Sequence, residues 1–281
     1  MKISEWPRRL DHCVLPTADL GTARERLELL GFTVAPIGVH PFGTANHCVY
    51  FPDGSFLESL AVVDRREAEK AVDADNVFVD HDRRYRAVRG EEGFSALVFQ
   101  TEDALGDHQT FVSAGVSAGP VLDFSRAFVD ADGQQGKVSF RLAFAKVSDA
   151  PDTLIFTCQR VAVAKVDRAA LQRHRNGVTG IRSIGVSRAD ALAPIRAAMT
   201  STGEGSSLVD VASGPSGAVV HLSTAQSMRG DLTSICFAVE SLHGVEALLA
   251  GASIGYSTVD GRIVVATAPG QGATFIFEAG T

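Results

Sequence analysis

Short apolar runs, separated by turns that contain glycine or proline, follow one another along most of the chain, and helical patterns interrupt them at intervals. The first run begins at Leu10, and a helix with one apolar stripe is predicted over residues 19–30, before a stop signal at Gly31. Three strands are predicted after this helix, over residues 32–37, 48–51 and 55–63. The pattern therefore predicts a βαβββ unit at the start of the chain.

The same order of elements begins again at three later points of the sequence. These starts, and the helices predicted after them, indicate four units in all, at about residues 8–63, 92–160, 178–225 and 231–280. A single unit would leave one apolar sheet face in water, so the units must pair, and ligand sites tend to form in the cleft between paired sheets. We therefore predict an α+β fold in which tandem βαβββ units pair into curved mixed sheets around a cleft.

Two polar segments separate these units. Residues 64–90 are compatible with helices and are predicted to pack outside the sheet, with a basic cluster that we interpret as a solvated helix face: Arg83, Arg84, Arg86 and Arg89. Residues 159–177 connect the two halves of the chain. We expect a first half at residues 1–165 with two complete units, and a second half at 166–281 with two trimmed units.

Composition and charge narrow the classes of function. The chain has 281 residues, of which 45% are hydrophobic and 21% charged, as in ordinary globular proteins. Its net charge of -7 argues against nucleic acid as a partner, since phosphate binding needs a clustered basic surface. Motifs for nucleotide binding, zinc proteases and serine hydrolases are absent. These observations leave a small molecule as the expected ligand.

The search for targeting signals and the pattern of cysteines indicate the cellular compartment to expect. The sequence contains no secretory h-region and no apolar stretch approaching the ~18 residues needed to cross a membrane. The four cysteines are far apart and behave as small apolar residues in predicted strands: Cys13, Cys48, Cys158 and Cys236. We therefore expect a cytoplasmic protein with no membrane partner.

Polar side chains that could bind a ligand concentrate between residues 40 and 60. Glu58 interrupts an otherwise apolar strand face, as His12 does in the first strand. A buried carboxylate is costly unless a metal, an arginine or a histidine pairs with it. The segment HPFGTANH, which precedes the strand that carries Glu58, adds four polar candidates, which are His40, Thr44, Asn46 and His47.

Several short motifs resemble the vicinal oxygen chelate superfamily, and within it the glyoxalase-like domain proteins. They are LDHCVL at residues 10–15, HPFGTAN at 40–46, FLESL at 56–60, FSR at 124–126, FRLAF at 140–144, FTCQ at 156–159 and HRNGVTGI at 174–181. The resemblance implies paired βαβββ units and a divalent metal bound by side chains of their first and last strands. It also implies a substrate that binds this metal through two neighbouring oxygens.

Carried onto this sequence, the resemblance implies that His12 and Glu58 are metal ligands, with Glu58 also a catalytic base. Imidazole and carboxylate together suit Fe, Mn, Zn or Ni. In the second unit the first-strand face carries Ala96, which cannot bind a metal, and the last strand offers only Cys158 or Gln159. A third ligand is therefore expected from a loop, with His47 or His40 as candidates. The alternative is that His12 and Glu58 only hydrogen-bond each other.

The remaining candidates would bind the substrate. His40, Thr44 and Asn46 line the predicted loop, and a substrate carbonyl or carboxylate could bind there. Arg126 and Arg141 belong to the second unit, and an arginine in the cleft would bind a carboxylate through two hydrogen bonds. Arg141 could equally lie on the exposed face of its strand.

Two functions follow from these residues. The first is a divalent-metal-dependent enzyme that acts on a small molecule with vicinal oxygens, as a lyase, an isomerase or a ring-cleaving dioxygenase. The second is a metal-free protein that binds or sequesters a small molecule on the same fold. The superfamily often pairs its units across chains, so a homodimer is also expected as a possible assembly.

Overall fold

The computed structural model of the chain describes residues 8–129, 135–148, 150–162, 168–187, 194, 197–198, 210–213 and 231–280. Within these residues the helices are α1 (Leu20–Leu29), α2 (Arg65–Asp73), α3 (Val77–Arg89), α4 (Ala104–Ser113) and α5 (Leu242–Gly251). No helix in these ranges is long and apolar enough to span a membrane. The described strands form two mixed sheets, so the predicted α+β class is confirmed.

The first sheet contains eight strands, which are β1 (Leu10–Pro16), β2 (Gly38–Val39), β3 (Thr44–Tyr50), β4 (Phe56–Val62), β5 (Ala96–Gln100), β6 (Leu122–Val129), β7 (Gln135–Lys146) and β8 (Leu154–Ala162). Their order across the sheet is β2-β3-β4-β1-β5-β8-β7-β6. The first strands of the two units, β1 and β5, are antiparallel neighbours at the centre, and each is parallel to the last strand of its own unit. The first two units therefore pair edge to edge.

This sheet curls into a cup. Arg126 on the edge strand β6 comes within 3.4 Å of Asn46 on β3, although five strands lie between β3 and β6 in the sheet order. A flat sheet would hold these strands far apart, since neighbouring strands are about 4.8 Å apart. The concave face is consequently shared by side chains of both units.

The second sheet contains β9 (Val178–Val186), β10 (Asp210–Ser213), β11 (Leu232–Val239), β12 (Ser257–Val259), β13 (Arg262–Val265) and β14 (Thr274–Ala279). Their order is β10-β9-β11-β14-β13-β12. Again two first strands, β9 and β11, are antiparallel neighbours, and β11 is parallel to the last strand β14. The helix predicted at residues 189–199 lies almost entirely outside the described residues.

One apolar core joins the two sheets. Phe32, which follows α1, packs its ring 5.4 Å from that of Phe237 and 6.0 Å from that of Phe275, both in the second sheet. Phe51 at the end of β3 also lies 5.6 Å from Phe237. Because of this shared core, each sheet buries apolar surface against the other. The division into halves at residues 1–165 and 166–281 stays a prediction.

Most predicted elements of the first unit are found, with one exception. Asp19 caps α1 by accepting a hydrogen bond from the Thr22 amide at 2.7 Å, and Gly31 follows the helix with φ +86°. Residues 32–37, predicted as a strand, form no strand. Pro36 lacks an amide hydrogen there, and the edge strand of the sheet is β2.

The segment between the first two units is fastened to the sheet by α3. Arg86 donates to the carbonyl oxygens of Leu60 at 2.9 Å and Thr17 at 3.0 Å, and pairs with Asp82 at 2.8 Å. The interpretation of the basic cluster as a solvated face is therefore wrong for Arg86, whose side chain is 9% exposed.

Candidate functional site

The concave face of the first sheet encloses a pocket with six phenylalanine rings in its lining. Its apolar lining consists of Phe42, Phe56, Phe78, Phe124, Phe140, Leu142 and Phe156. Its polar lining consists of Asp11, His12, His40, Asn46, Cys48, Glu58, Arg126, Cys158 and Arg160. All these residues belong to one chain. A homodimer stays a prediction.

Glu58 is the centre of the polar lining. It is 5% exposed, its Oε1 accepts a hydrogen bond from Asn46 Nδ2 at 2.5 Å, and its Oε2 lies 3.3 Å from His12 Nε2. Burial by itself raises the pKa of Glu58, but the contact and charge of His12, the charge of His40 and the Asn46 amide together lower it to about 2. Glu58 is therefore a carboxylate at neutral pH.

A β-bulge brings two consecutive residues of β1 into contact with this pocket. The pairing of β1 with β5 shifts register between Leu10 and His12, so both Asp11 and His12 line the pocket. Burial lowers the pKa of His12, but its contacts with the Asp11 and Glu58 carboxylates outweigh burial and leave that pKa raised. The Asp11 and Glu58 carboxylates thus favour the protonated form of His12.

Arg160, on β8 of the second unit, adds a charged side chain next to Asp11, His12 and Glu58. Its Nη2 donates to Asp11 Oδ1 at 2.5 Å, and Asp11 Oδ2 lies 3.4 Å from His12 Nδ1. Burial raises the pKa of Asp11, but His12 and Arg160 lower it overall. The chain of contacts Arg160, Asp11, His12 and Glu58 therefore crosses from one unit to the other.

His40 is a neutral partner on the other side of Glu58. Its Nδ1 lies 2.8 Å from Thr44 Oγ1, and its Nε2 lies 3.3 Å from Asn46 Nδ2. Because the Asn46 amide can only donate, Nε2 accepts, and the ring hydrogen is assigned to Nδ1, which donates to Thr44. Thr44 thus orients His40 rather than lining the pocket.

The neutral state of His40 predicts a pH dependence of stability. Burial lowers the pKa of His40 from 6.5 to about 4, so its contribution is present above pH 6.5 and is lost as the pH falls from 6.5 to 4. His81, away from the pocket, has a similarly lowered pKa of about 4 and adds to the same window. When the pH falls from about 8 to about 5, the free energy of unfolding of wild type should decrease. In His40→Gln this decrease should be smaller by roughly 2 kcal/mol.

Urea denaturation at both pH values measures this difference. His81→Gln is the matched control, because it removes a buried neutral histidine that lies outside the pocket, with its Nε2 at 3.2 Å from the Ser95 carbonyl oxygen. It should reduce the pH dependence similarly without touching the pocket. An unchanged pH dependence in His40→Gln would show that His40 is not held neutral at this position.

The second unit places apolar side chains opposite His12 and Glu58. Ala96 and Val98 of β5 belong to the apolar cluster on the concave face, together with Phe156 and Cys158 of β8. Burial raises the pKa of Cys158 well above its usual value, so it is a thiol rather than a thiolate. Gln159 points the other way and donates to the Glu102 carbonyl. The second unit supplies no metal ligand here.

Besides Thr44, two more predicted site residues lie outside the pocket. His47 alternates with Asn46 along β3, so it faces away from Glu58, and its Nδ1 lies 3.1 Å from the Ala35 carbonyl oxygen. The prediction of His47 as a third metal ligand does not fit this geometry. Arg141 pairs with Asp123 at 2.7 Å on the outer side of the sheet, so it does not fit a role in substrate binding in the pocket.

Arg126, in contrast, reaches into the pocket. It is half-buried, its Nη1 lies 3.4 Å from Asn46 Oδ1, and its guanidinium carbon is 5.9 Å from the centre of the Phe140 ring. A Cβ atom on Gly38 would collide with this guanidinium, so the glycine leaves the space that it fills. Across the described ranges, no carboxylate lies within ion-pair distance of Arg126.

A divalent metal needs at least three suitable ligands in such a site. Among the described residues, no group of three or more His, Cys, Asp or Glu side chains could hold a metal ion. The Asn46 amide, a hydrogen donor, lies between His40 and Glu58, where a cation shared by these two side chains would be placed. The residues present therefore do not fit the metal that the resemblance implies.

Comparisons with known proteins concern the family and the fold. Residues 10–201 match the model of the glyoxalase-like domain family. A hypothetical protein from Staphylococcus aureus is similar in structure, with a TM-score of 0.61 and 14% identity over 96% of this chain and 99% of the other. A triple mutant of 4-hydroxymandelate synthase from Streptomyces coelicolor is also similar in structure, with a TM-score of 0.60 and 13% identity over 98% of this chain and 93% of the other. No curated protein matches the chain in sequence.

Proposed function

Since the chain belongs to the glyoxalase-like domain family, we propose that its cup binds a small organic acid with an apolar body and an oxygen next to the acid group. The observation that carries this proposal is Arg126. It is a half-buried arginine in an aromatic pocket, and within the described residues it has no carboxylate partner. A carboxylate of the ligand would form the two charge-assisted hydrogen bonds that such an arginine favours.

The charges of the pocket support an anionic ligand. With His12 protonated, the state that its raised pKa favours, His12, Arg126 and Arg160 carry three positive charges against the two carboxylates of Asp11 and Glu58, which leaves one positive charge uncompensated. Among the phenylalanine rings of the pocket, this charge is screened less than it would be at the surface. An acid that enters the cup would neutralise it.

Glu58 would select the neighbouring oxygen of the ligand. A carboxylate has about four acceptor positions, and Glu58 uses two of them for Asn46 and His12. A hydroxyl group next to the ligand's acid group could donate to Glu58 while the acid group binds Arg126. This arrangement supports recognition of two vicinal oxygens by side chains alone.

Binding or sequestration agrees better with these groups than turnover in which Glu58 or His40 is the general base. A general base works best when its pKa lies near the working pH. The pKa of Glu58 is about 2 and that of His40 about 4, so neither takes up a proton readily at neutral pH. The metal-free alternative raised by the sequence is therefore our first proposal.

A second candidate is the divalent-metal-dependent enzyme, whose metal would need at least one ligand beyond the described residues of the pocket. His12 Nε2 lies 3.3 Å from Glu58 Oε2, on the first and last strands of the first unit. These are the positions where the superfamily resemblance implies ligands, and imidazole with carboxylate suits Fe, Mn, Zn or Ni. Metal analysis of protein purified without chelator separates the candidates, because the enzyme requires stoichiometric metal and the first proposal expects only traces.

Calorimetric titration tests the first proposal with 3-phenyllactate, which has one carboxylate, a neighbouring hydroxyl and one ring. The control ligand is 3-phenyl-1,2-propanediol, in which an alcohol replaces the acid group. We expect the acid to bind about 10- to 100-fold more tightly, because only the acid can form charge-assisted hydrogen bonds with Arg126. Equal affinities, or binding that appears only after Mn²⁺ is added, would contradict the proposal.

A further inference from the structure

The wall of the pocket has one component that does not come from the sheet or its turns. Among the described lining residues, Phe78 alone lies on a helix, α3, in the segment between the first two units. The residue is 7% exposed. Its ring centre lies 5.8 Å from that of Phe42, 6.0 Å from that of Phe156 and 6.2 Å from that of His40. Phe78 therefore closes one end of the cup.

The helix that holds Phe78 is firmly attached. Asn76 caps its first turn by accepting from the Val79 amide at 3.1 Å, and His81 Nε2 lies 3.2 Å from the Ser95 carbonyl oxygen. Tyr85 accepts from the Phe94 amide at 3.0 Å, and Arg86 donates to Leu60 at 2.9 Å. These contacts with both units make the helix a fixed wall rather than a moving lid.

Aromatic rings line the pocket between Arg126 and Phe78. Phe124 lies two residues before Arg126 on β6, and both side chains line the pocket. The ring of Phe124 is 5.2 Å from that of Phe42, which in turn contacts Phe78. An acid bound at Arg126 would place its apolar body along Phe124, with Phe78 at the far end.

We infer that Phe78 is a specificity-determining residue that limits the length of the ligand's apolar body; this inference rests on the proposed binding of an organic acid at Arg126. Because α3 is anchored independently of Phe78, the helix cannot collapse into the space that a smaller side chain would leave. Apolar cavities made in this way persist and accept apolar groups. Phe78→Ala should therefore extend the pocket.

The test compares two acids that differ only in chain length, 3-phenyllactate and 2-hydroxy-5-phenylpentanoate. We expect wild type to prefer the shorter acid by about tenfold, and Phe78→Ala to remove or reverse this preference. Phe78→Leu, which keeps more of the packing, should give an intermediate ratio if the alanine variant does not fold. Phe111→Leu is the control, because Phe111 is buried in α4 away from the pocket and should leave the ratio unchanged.

The outcomes separate this inference from the proposed function. If wild type binds 3-phenyllactate but the ratio of affinities in Phe78→Ala and Phe78→Leu equals that of wild type, the length limit is overturned and the proposed function stands. If wild type binds neither acid, the proposed function fails and the inference fails with it. A changed ratio in Phe111→Leu as well would also overturn it, because the effect would then be global.

Discussion

Replacing Glu58 with glutamine is expected to lower the free energy of unfolding by about 3–5 kcal/mol, the usual cost of removing one partner of a buried ion pair. Glutamine has nearly the same volume, so packing is retained and only the charge is lost. His12 would then lose one of the two carboxylates that favour its protonated form, because a neutral amide replaces the carboxylate at residue 58. The Asn46 amide, which now donates at 2.5 Å, would lose its charged acceptor.

Urea denaturation at neutral pH measures this loss, and Glu28→Gln is the control. Glu28 also pairs with a basic side chain, Arg24 at 2.8 Å, but its own side chain is 50% exposed, so its removal should cost less than about 1 kcal/mol. A Glu58→Gln variant as stable as wild type would mean that the His12 and Glu58 pair is not formed in the folded protein.

The difference between wild type and Glu58→Gln should also depend on pH. The pKa of Glu58 is lowered from 4.5 to about 2, so the stabilisation by its carboxylate is fully present above pH 4.5. It is lost as the pH falls through the folded pKa. The stability difference between the two proteins should therefore shrink in that acidic range.

The elements of the fold could be predicted because their signals are local. The Asp19 cap and Gly31 mark α1 within the sequence itself, and the alternation around Glu58 marks β4. The failed strand at residues 32–37 shows the limit of this approach, since apolar residues there pack into the core without joining the sheet. How the four units share one core depends on contacts between distant residues, which no local pattern contains.

Within the site, the sequence identified His12 and Glu58 but not the residues around them. Asp11 was not predicted as a site residue, because the bulge in β1 breaks the alternation by which strand faces are assigned. Arg160 was not predicted because it falls in the segment assigned to the connection between the halves, residues 159–177, although Phe156 and Cys158 already had the right spacing for it. His47 faces away from Glu58 because β3 begins at Thr44, so that His47 lies on the opposite face of the strand from Asn46.

Replacing Arg126 with alanine is expected to weaken the binding of 3-phenyllactate by about 10- to 100-fold, because a charge-assisted hydrogen bond contributes about 1.5–3 kcal/mol. The guanidinium reaches the pocket through the space left by Gly38, and among the described residues it has one hydrogen-bonding contact, with Asn46 at 3.4 Å. Its loss should therefore affect the ligand far more than the fold. The affinity for 3-phenyl-1,2-propanediol should hardly change.

Arg141→Ala is the matched control for this titration. Arg141 lies on the neighbouring strand β7, but it pairs with Asp123 at 2.7 Å outside the pocket. Its removal should leave both affinities as in wild type. Arg126→Lys should give an intermediate affinity, because lysine keeps the charge without the two parallel hydrogen bonds. Equal losses in Arg126→Ala and Arg141→Ala would point to a general effect of positive charge.

The crystal structure of the wild-type protein with 3-phenyllactate tests the central claim most directly. The account predicts the ligand inside the cup, with its carboxylate about 2.7–2.9 Å from the Arg126 guanidinium and its hydroxyl within hydrogen-bonding distance of Glu58. A metal ion between the ligand oxygens and the His12 and Glu58 pair would contradict the account. So would a ligand whose carboxylate lies away from Arg126.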